Sequence, residues 1–77
     1  MSLPDSIKIM RQKTLMNQEE FAAELNVSLA SVNRWEVGKS IPNLSAMKSI
    51  KAFCEKHNKD YGMVESEWIT VRLEAKK

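Results

Sequence analysis

The sequence predicts an all-α fold, a compact bundle of about five helices that contains a helix-turn-helix. Three observations predict it. Only two Gly and two Pro interrupt the 77 residues, while Lys, Glu, Ala, Leu and Met are plentiful, a balance that favours helices over a turn-rich β fold. Apolar residues recur three and four positions apart through most of the chain. Good N-cap residues stand before these runs, and residues that tolerate left-handed backbone angles follow them.

Taken in order, Pro4 suits the first position of a helix and Asp5 its positive end, with Ile7, Met10 and Arg11 continuing at helical spacing. A helix over Pro4–Lys13 is expected. Asn17 is a strong N-cap, and Glu20 three residues later completes a capping box. Phe21, Ala22 and Leu25 then form a buried stripe, and Asn26 can close the helix, giving Gln18–Leu25. Ser28 caps the next helix, Leu29–Glu36, which turns Val32, Trp35 and Glu36 to one side and stops at Gly38. Two short helices joined by so tight a turn form a helix-turn-helix. Ile41-Pro42-Asn43 is an extended connector, because a residue before proline avoids helical angles. Asn43 or Ser45 caps a fourth helix that buries Met47, Ile50, Phe53 and Cys54 and turns Lys48, Lys51, Glu55 and Lys56 outward.

The tail from Lys59 is ambiguous. Ile69, Val71 and Leu73 alternate as in a strand, while Trp68, Val71 and Ala75 fit a helix that Ser66 could cap. The helix is the favoured reading. The chain is then one domain, with residues 1–58 as its helix-turn-helix unit and residues 59–77 as a tail for packing or dimerisation.

Several classes of function are disfavoured. No apolar run approaches the roughly 20 residues that span a bilayer, and no basic region followed by an apolar stretch opens the chain. A soluble, cytoplasmic protein is expected. Cys54 is the only cysteine, which rules out an internal disulfide and a cysteine-based zinc site. His57 has no partner at metal-ligand spacing and reads as a solvated residue near a helix C-terminus. Gly38 and Gly62 stand apart, so no glycine loop can cradle a phosphate. No catalytic residue, metal, cofactor or small-molecule ligand is indicated, and an enzyme is not expected. The net charge is only +2: residues 1–43 carry five basic and five acidic side chains, and residues 44–77 seven and five. Any binding of a polyanion has to come from how charge is distributed.

Asn17-Gln18-Glu19-Glu20-Phe21-Ala22, Asn26-Val27-Ser28, Val32-Asn33-Arg34-Trp35-Glu36-Val37-Gly38-Lys39 and Pro42, all in register, carry a resemblance. Over about residues 7–57 the chain resembles the lambda-repressor-like, or XRE, helix-turn-helix family of DNA-binding regulators. That resemblance implies a sequence-specific regulator of transcription, a repressor, bound to double-stranded DNA at an inverted-repeat operator as a homodimer and associated with the nucleoid. It also implies a structural pair between Arg11 and Glu36, and a close helix packing that requires the small Ala22. In such proteins the outward side of the second motif helix meets base edges, here Leu29, Ala30, Asn33 and Arg34. Asn33 can pair with adenine and Arg34 with guanine or a phosphate, whereas Leu29 and Ala30 offer only apolar contacts, for instance to a thymine methyl. Many relatives carry polar side chains at those two positions. Phosphate contacts fall to Gln18, Ser28, Ser31, Lys39 and Asn43, and Glu19, Glu20 and Glu24 form a solvated back. An antitoxin-like or partner-binding module remains the alternative, its helix-turn-helix serving autoregulation or targeting an associated DNA-modifying activity.

Overall fold

The computed structural model describes residues 2–75 as five helices, with no strand among the described residues. They are α1 (Leu3–Lys13), α2 (Gln18–Leu25), α3 (Leu29–Val37), α4 (Leu44–Lys56) and α5 (Gly62–Ala75). Residues 76 and 77 of the expected tail lie outside the described residues.

Local side-chain bonds explain where the helices begin. Ser2 caps α1 by accepting from the Asp5 N–H at 3.4 Å, so the helix starts at Leu3, one residue before the expected Pro4. The capping box of α2 is closed in both directions: Asn17 Oδ1 accepts from the Glu20 N–H at 2.8 Å, and Glu20 Oε1 accepts from the Asn17 N–H at 3.0 Å. Ser28 accepts from the Ser31 N–H at 3.0 Å to start α3. Asn43, rather than Ser45, starts α4, accepting from the Ala46 N–H at 2.8 Å. α5 begins four residues before the expected Ser66, where Asp60 Oδ1 accepts from the Gly62 N–H at 2.9 Å.

Helix ends follow the same logic. Asn26 ends α2 with φ 57°, and Gly38 ends α3 with φ 83°, where its missing Cβ removes the usual penalty. α3 therefore runs on to Val37, one residue beyond the expected Glu36, because only the left-handed glycine stops it.

One core joins the helices. Ile7 of α1, Phe21 of α2, Val32 of α3 and Ile50 of α4 are wholly buried, with Trp35 only 5 % exposed. Ala22 is buried on α2, which packs on α3, so a longer side chain there would have to displace its neighbours. The Phe21 and Phe53 rings meet edge to face at 5.0 Å, joining α2 to α4, and the Cys54 thiol lies 3.1 Å from Met10 Sδ, joining α4 to α1. Burial pushes the Cys54 thiol up to about 11. α5 lies across α1 and contributes one fully buried side chain, Val64, while Tyr61, Trp68 and Val71 pack against the core from its edge.

One expected surface residue is placed otherwise, and a second gains partners. His57 is half-buried: it caps α4, its ring lies 4.4 Å from that of Phe53, and its Nε2 is 3.0 Å from Glu24 Oε1. Glu24 stays exposed with Glu19 and Glu20, and the packing of α2 on α4 sets it beside the end of that helix. Lys56 Nζ donates to the same oxygen at 2.8 Å. Hydrogen bonds from Lys56 and then His57 hold the Glu24 carboxyl below the ordinary glutamate value.

Candidate nucleic-acid interface

α3 has two distinct sides. Val32 and Trp35 point into the core, while Leu29, Ala30, Asn33 and Arg34 are exposed on the opposite side. Leu29 is an apolar side chain left 46 % open to solvent. The Arg34 side chain forms no ion pair or hydrogen bond among the described residues, which leaves its full fork of donors for a ligand.

Behind that exposed side runs a chain of polar bonds rooted in the interior. Arg11 holds Glu36 in a bidentate grip, Nε to Oε2 at 2.7 Å and Nη2 to Oε1 at 2.9 Å. Both side chains are largely enclosed, 11 % and 2 % exposed respectively, so the pairing is charge-assisted and directional. The bond to Glu36 raises the Arg11 pKa above its ordinary value, overcoming the opposing effect of burial. Arg11 Nη1 also donates to the Met16 carbonyl at 2.8 Å, which ties the α1–α2 turn to the pair. Gln18 Nε2 then donates to Glu36 Oε1 at 3.1 Å, and Asn33 Nδ2 lies 3.4 Å from Gln18 Oε1. The Gln18 amide is thus oriented by a buried carboxylate and in turn braces Asn33 on the outward side of α3.

The remaining polar candidates lie around the start of α3 and the α3–α4 connector. Ser28 and Ser31 share a contact of 2.9 Å between their hydroxyls. Ser31 and Asn43 line one cleft of about 370 Å³ between the helix-turn-helix turn and the start of α4, together with Ser40, Ser45 and Ser49. Asn43 uses its carbonyl oxygen as the α4 cap, which leaves its amide NH₂ free to donate. Lys39 is exposed just after Gly38, its N–H donating to the Arg34 carbonyl at 2.9 Å. The fold therefore brings Gln18 to Asn33, Ser31 to Asn43, and Lys39 to the end of the helix that carries Arg34. Residue order alone does not place Ser40 and Ser45 on this cleft or the Met16 carbonyl on Arg11; the last has no side-chain signal that could reveal it. No cluster of metal-ligating side chains occurs among the described residues.

Two short helices joined by a tight turn, the second with one buried and one open side, define a helix-turn-helix module. A helix-turn-helix family model matches residues 7–57. The chain belongs to the lambda-repressor-like, or XRE, helix-turn-helix family. It is similar to the HTH-type transcriptional activator BcrR of Enterococcus faecalis, 32 % identical over 53 residues that make up 69 % of this chain and 26 % of that protein. The chain thus spans about a quarter of that relative's length. No solved structure matches it.

Proposed function

We propose that this chain is a sequence-specific, double-stranded-DNA-binding regulator of transcription that reads the major groove with α3. The observation that carries the reading is the outward side of α3, open at Leu29, Ala30, Asn33 and Arg34 and braced from beneath through Gln18, Glu36 and Arg11. Asn33 pairs with adenine and Arg34 with guanine, each worth about 1–3 kcal/mol of discrimination, while Leu29 and Ala30 meet thymine methyls. Gln18, Ser28, Ser31, Lys39 and Asn43 fix the register through phosphates.

A homodimer suits this reading. Residues 1–43, which carry the two motif helices, are electrically neutral, so one copy has little long-range attraction for DNA, and two copies on half-sites about 34 Å apart supply what one lacks. The surface available for pairing is the tail, where Ile69 and Leu73 are exposed beside Leu44. Bound across a promoter, such a dimer represses by blocking polymerase, and on this reading it works on the nucleoid. No helix among the described residues is long and apolar enough to cross a membrane. The role named for the Enterococcus relative favours a second reading, activation from a site beside the promoter. Selection of bound sequences from a random duplex pool tests DNA reading directly; recovery of no enriched motif overturns it. Transcription from templates bearing the selected site over or upstream of a promoter then separates repression from activation.

A further inference from the structure

The connector from Gly38 to Asn43 carries two of the proposed phosphate contacts, Lys39 and Asn43, yet belongs to no helix. Its first half hangs from α3, with the Lys39 and Ser40 N–H groups both donating to the Arg34 carbonyl, at 2.9 and 3.4 Å. Its second half is fixed from elsewhere. Pro42 is fully buried, and its carbonyl accepts a 2.7 Å hydrogen bond from the indole Nε1–H of Trp68, 26 residues further on in α5. Among the described residues this is the only side-chain hydrogen bond from α5 to the helix-turn-helix part of the chain. The indole is itself held in place. The Arg72 guanidinium lies 4.7 Å from the ring centroid, and Leu44, the first residue of α4, lines the same shallow groove as Trp68.

An indole N–H is a single donor with one direction. Apolar packing alone would be served by Phe or Leu at this position and would not need a short bond to a chosen carbonyl. Here the donor meets the connector between Lys39 and Asn43, at a proline whose φ is already fixed by its ring.

We propose that Trp68 is a positioning residue for DNA binding: its indole pins the Pro42 carbonyl and so sets where Lys39 and Asn43 meet the phosphate backbone. The proposal rests on the DNA-reading function above and adds to it a role for α5. The tail then acts on DNA affinity from within one chain, whether or not a second copy is bound.

The variant Trp68→Phe keeps an aromatic ring and removes the donor. In the free protein, amide exchange at Lys39 and Ser40 is expected to quicken by about tenfold, the effect of losing one hydrogen bond of ordinary net strength, while amides within α2 keep their protection. On a selected duplex, the plot of log affinity against log salt becomes shallower by about one unit, as for the loss of one phosphate contact. Because the effect passes through the connector, Trp68→Phe has little further effect in a Lys39→Ala background, and the two substitutions are less than additive. In the unaltered chain, the Trp68 indole N–H exchanges more slowly than a free indole; exchange at the free rate overturns the bond itself. Parental connector exchange and salt slope in the variant, fully additive effects, or a loss of protection spread evenly over all helices overturn the role of Trp68 and leave DNA reading intact. An unaltered chain that binds no duplex overturns the functional reading and the DNA role of Trp68 with it, and connector exchange then reports only how the loop is held.

Discussion

The α1–α3 region and α5 are held to the same core by different means. In the first, direction dominates: a bidentate Arg11–Glu36 pair, a reciprocal capping box and a Gln18 amide bonded on both sides orient Asn33 on the outward side of α3. In α5 burial dominates, and it is partial. Val64 is sealed, Trp68 supplies one directed bond, and Met63, Ile69 and Leu73 stay between 45 and 61 % exposed. Polar networks with every member bonded favour a single geometry, whereas an apolar stripe can be covered in several ways. Asn33 on α3 is held in place, and the tail retains surface for another contact.

The strongest way to break this contrast is to remove the anchor of the rigid part. Trp35→Ala takes the largest side chain out of α3's buried side and is expected to cost about 3–5 kcal/mol, most of the stability of so small a domain. Urea unfolding reads it, and a midpoint close to the parent's would show the ring to be dispensable. Glu36→Ala leaves the enclosed Arg11 charge unpaired at a cost of about 3 kcal/mol, with Asn33 losing its brace as well. Replacing both partners with apolar residues should be milder than this single change, and a double variant less stable than Glu36→Ala would contradict that account.

Arg34→Ala sharpens the contrast by leaving the fold alone. Specific duplex affinity should fall by about 1–3 kcal/mol while the melting temperature stays at the parental value. Unchanged affinity and sequence preference would remove Arg34 from the reading surface. On the tail, Ile69→Glu places a charge on the exposed apolar stripe and should convert a micromolar dimer to monomer in sedimentation, with folding stability changed by no more than about 0.5 kcal/mol. A monomeric parent, or dimerisation that survives truncation after His57, would take the tail out of that role.

The smallest effect belongs to Glu24. Lys56 and His57 hold its carboxyl below the usual value, so its folded-state pKa is lower than its unfolded one. The stability it adds is therefore present above the unfolded pKa and is lost as pH falls through the folded one. Glu24→Gln should flatten the acid side of the stability–pH profile and leave the alkaline side untouched; an unchanged acid limb would show the contact to be incidental.

The parts of this structure that sequence exposes are those decided locally. Asn17, Ser28 and Asn43 cap helices through bonds only three residues long, so α2 and α3 start where the residue order alone indicates, and α4 at the first of the two caps it offers. The outward set on α3 follows from a 3.6-residue period once Val32 and Trp35 are taken as buried. What stays hidden is set by distance along the chain. Glu24 meets His57 across 33 residues and Trp68 meets Pro42 across 26, separations no local pattern spans. Arg11 and Glu36, 25 residues apart, were connected only through the family resemblance. The tail reads only marginally as a helix rather than a strand because Ile69, Val71 and Leu73 alternate. Packing along α1, which buries Val64 and half-buries Val71, selects the helix.

The placement of the two tryptophans gives the chain a pair of optical reporters with separate meanings. Trp35 is buried where the core borders a polar cleft and Trp68 sits at a half-wet edge under a guanidinium, so their fluorescence is expected to differ in colour and in access to a dissolved quencher. Light from Trp35 reports on the core and on the serine-lined cleft that the ring borders. Light from Trp68 changes when anything displaces Arg72, fills the groove beside Leu44 or lifts α5, even with the core intact. Subtracting the spectrum of Trp68→Phe from that of the unaltered chain isolates the second signal, so tail movement and unfolding can be followed in the same solution without an added label.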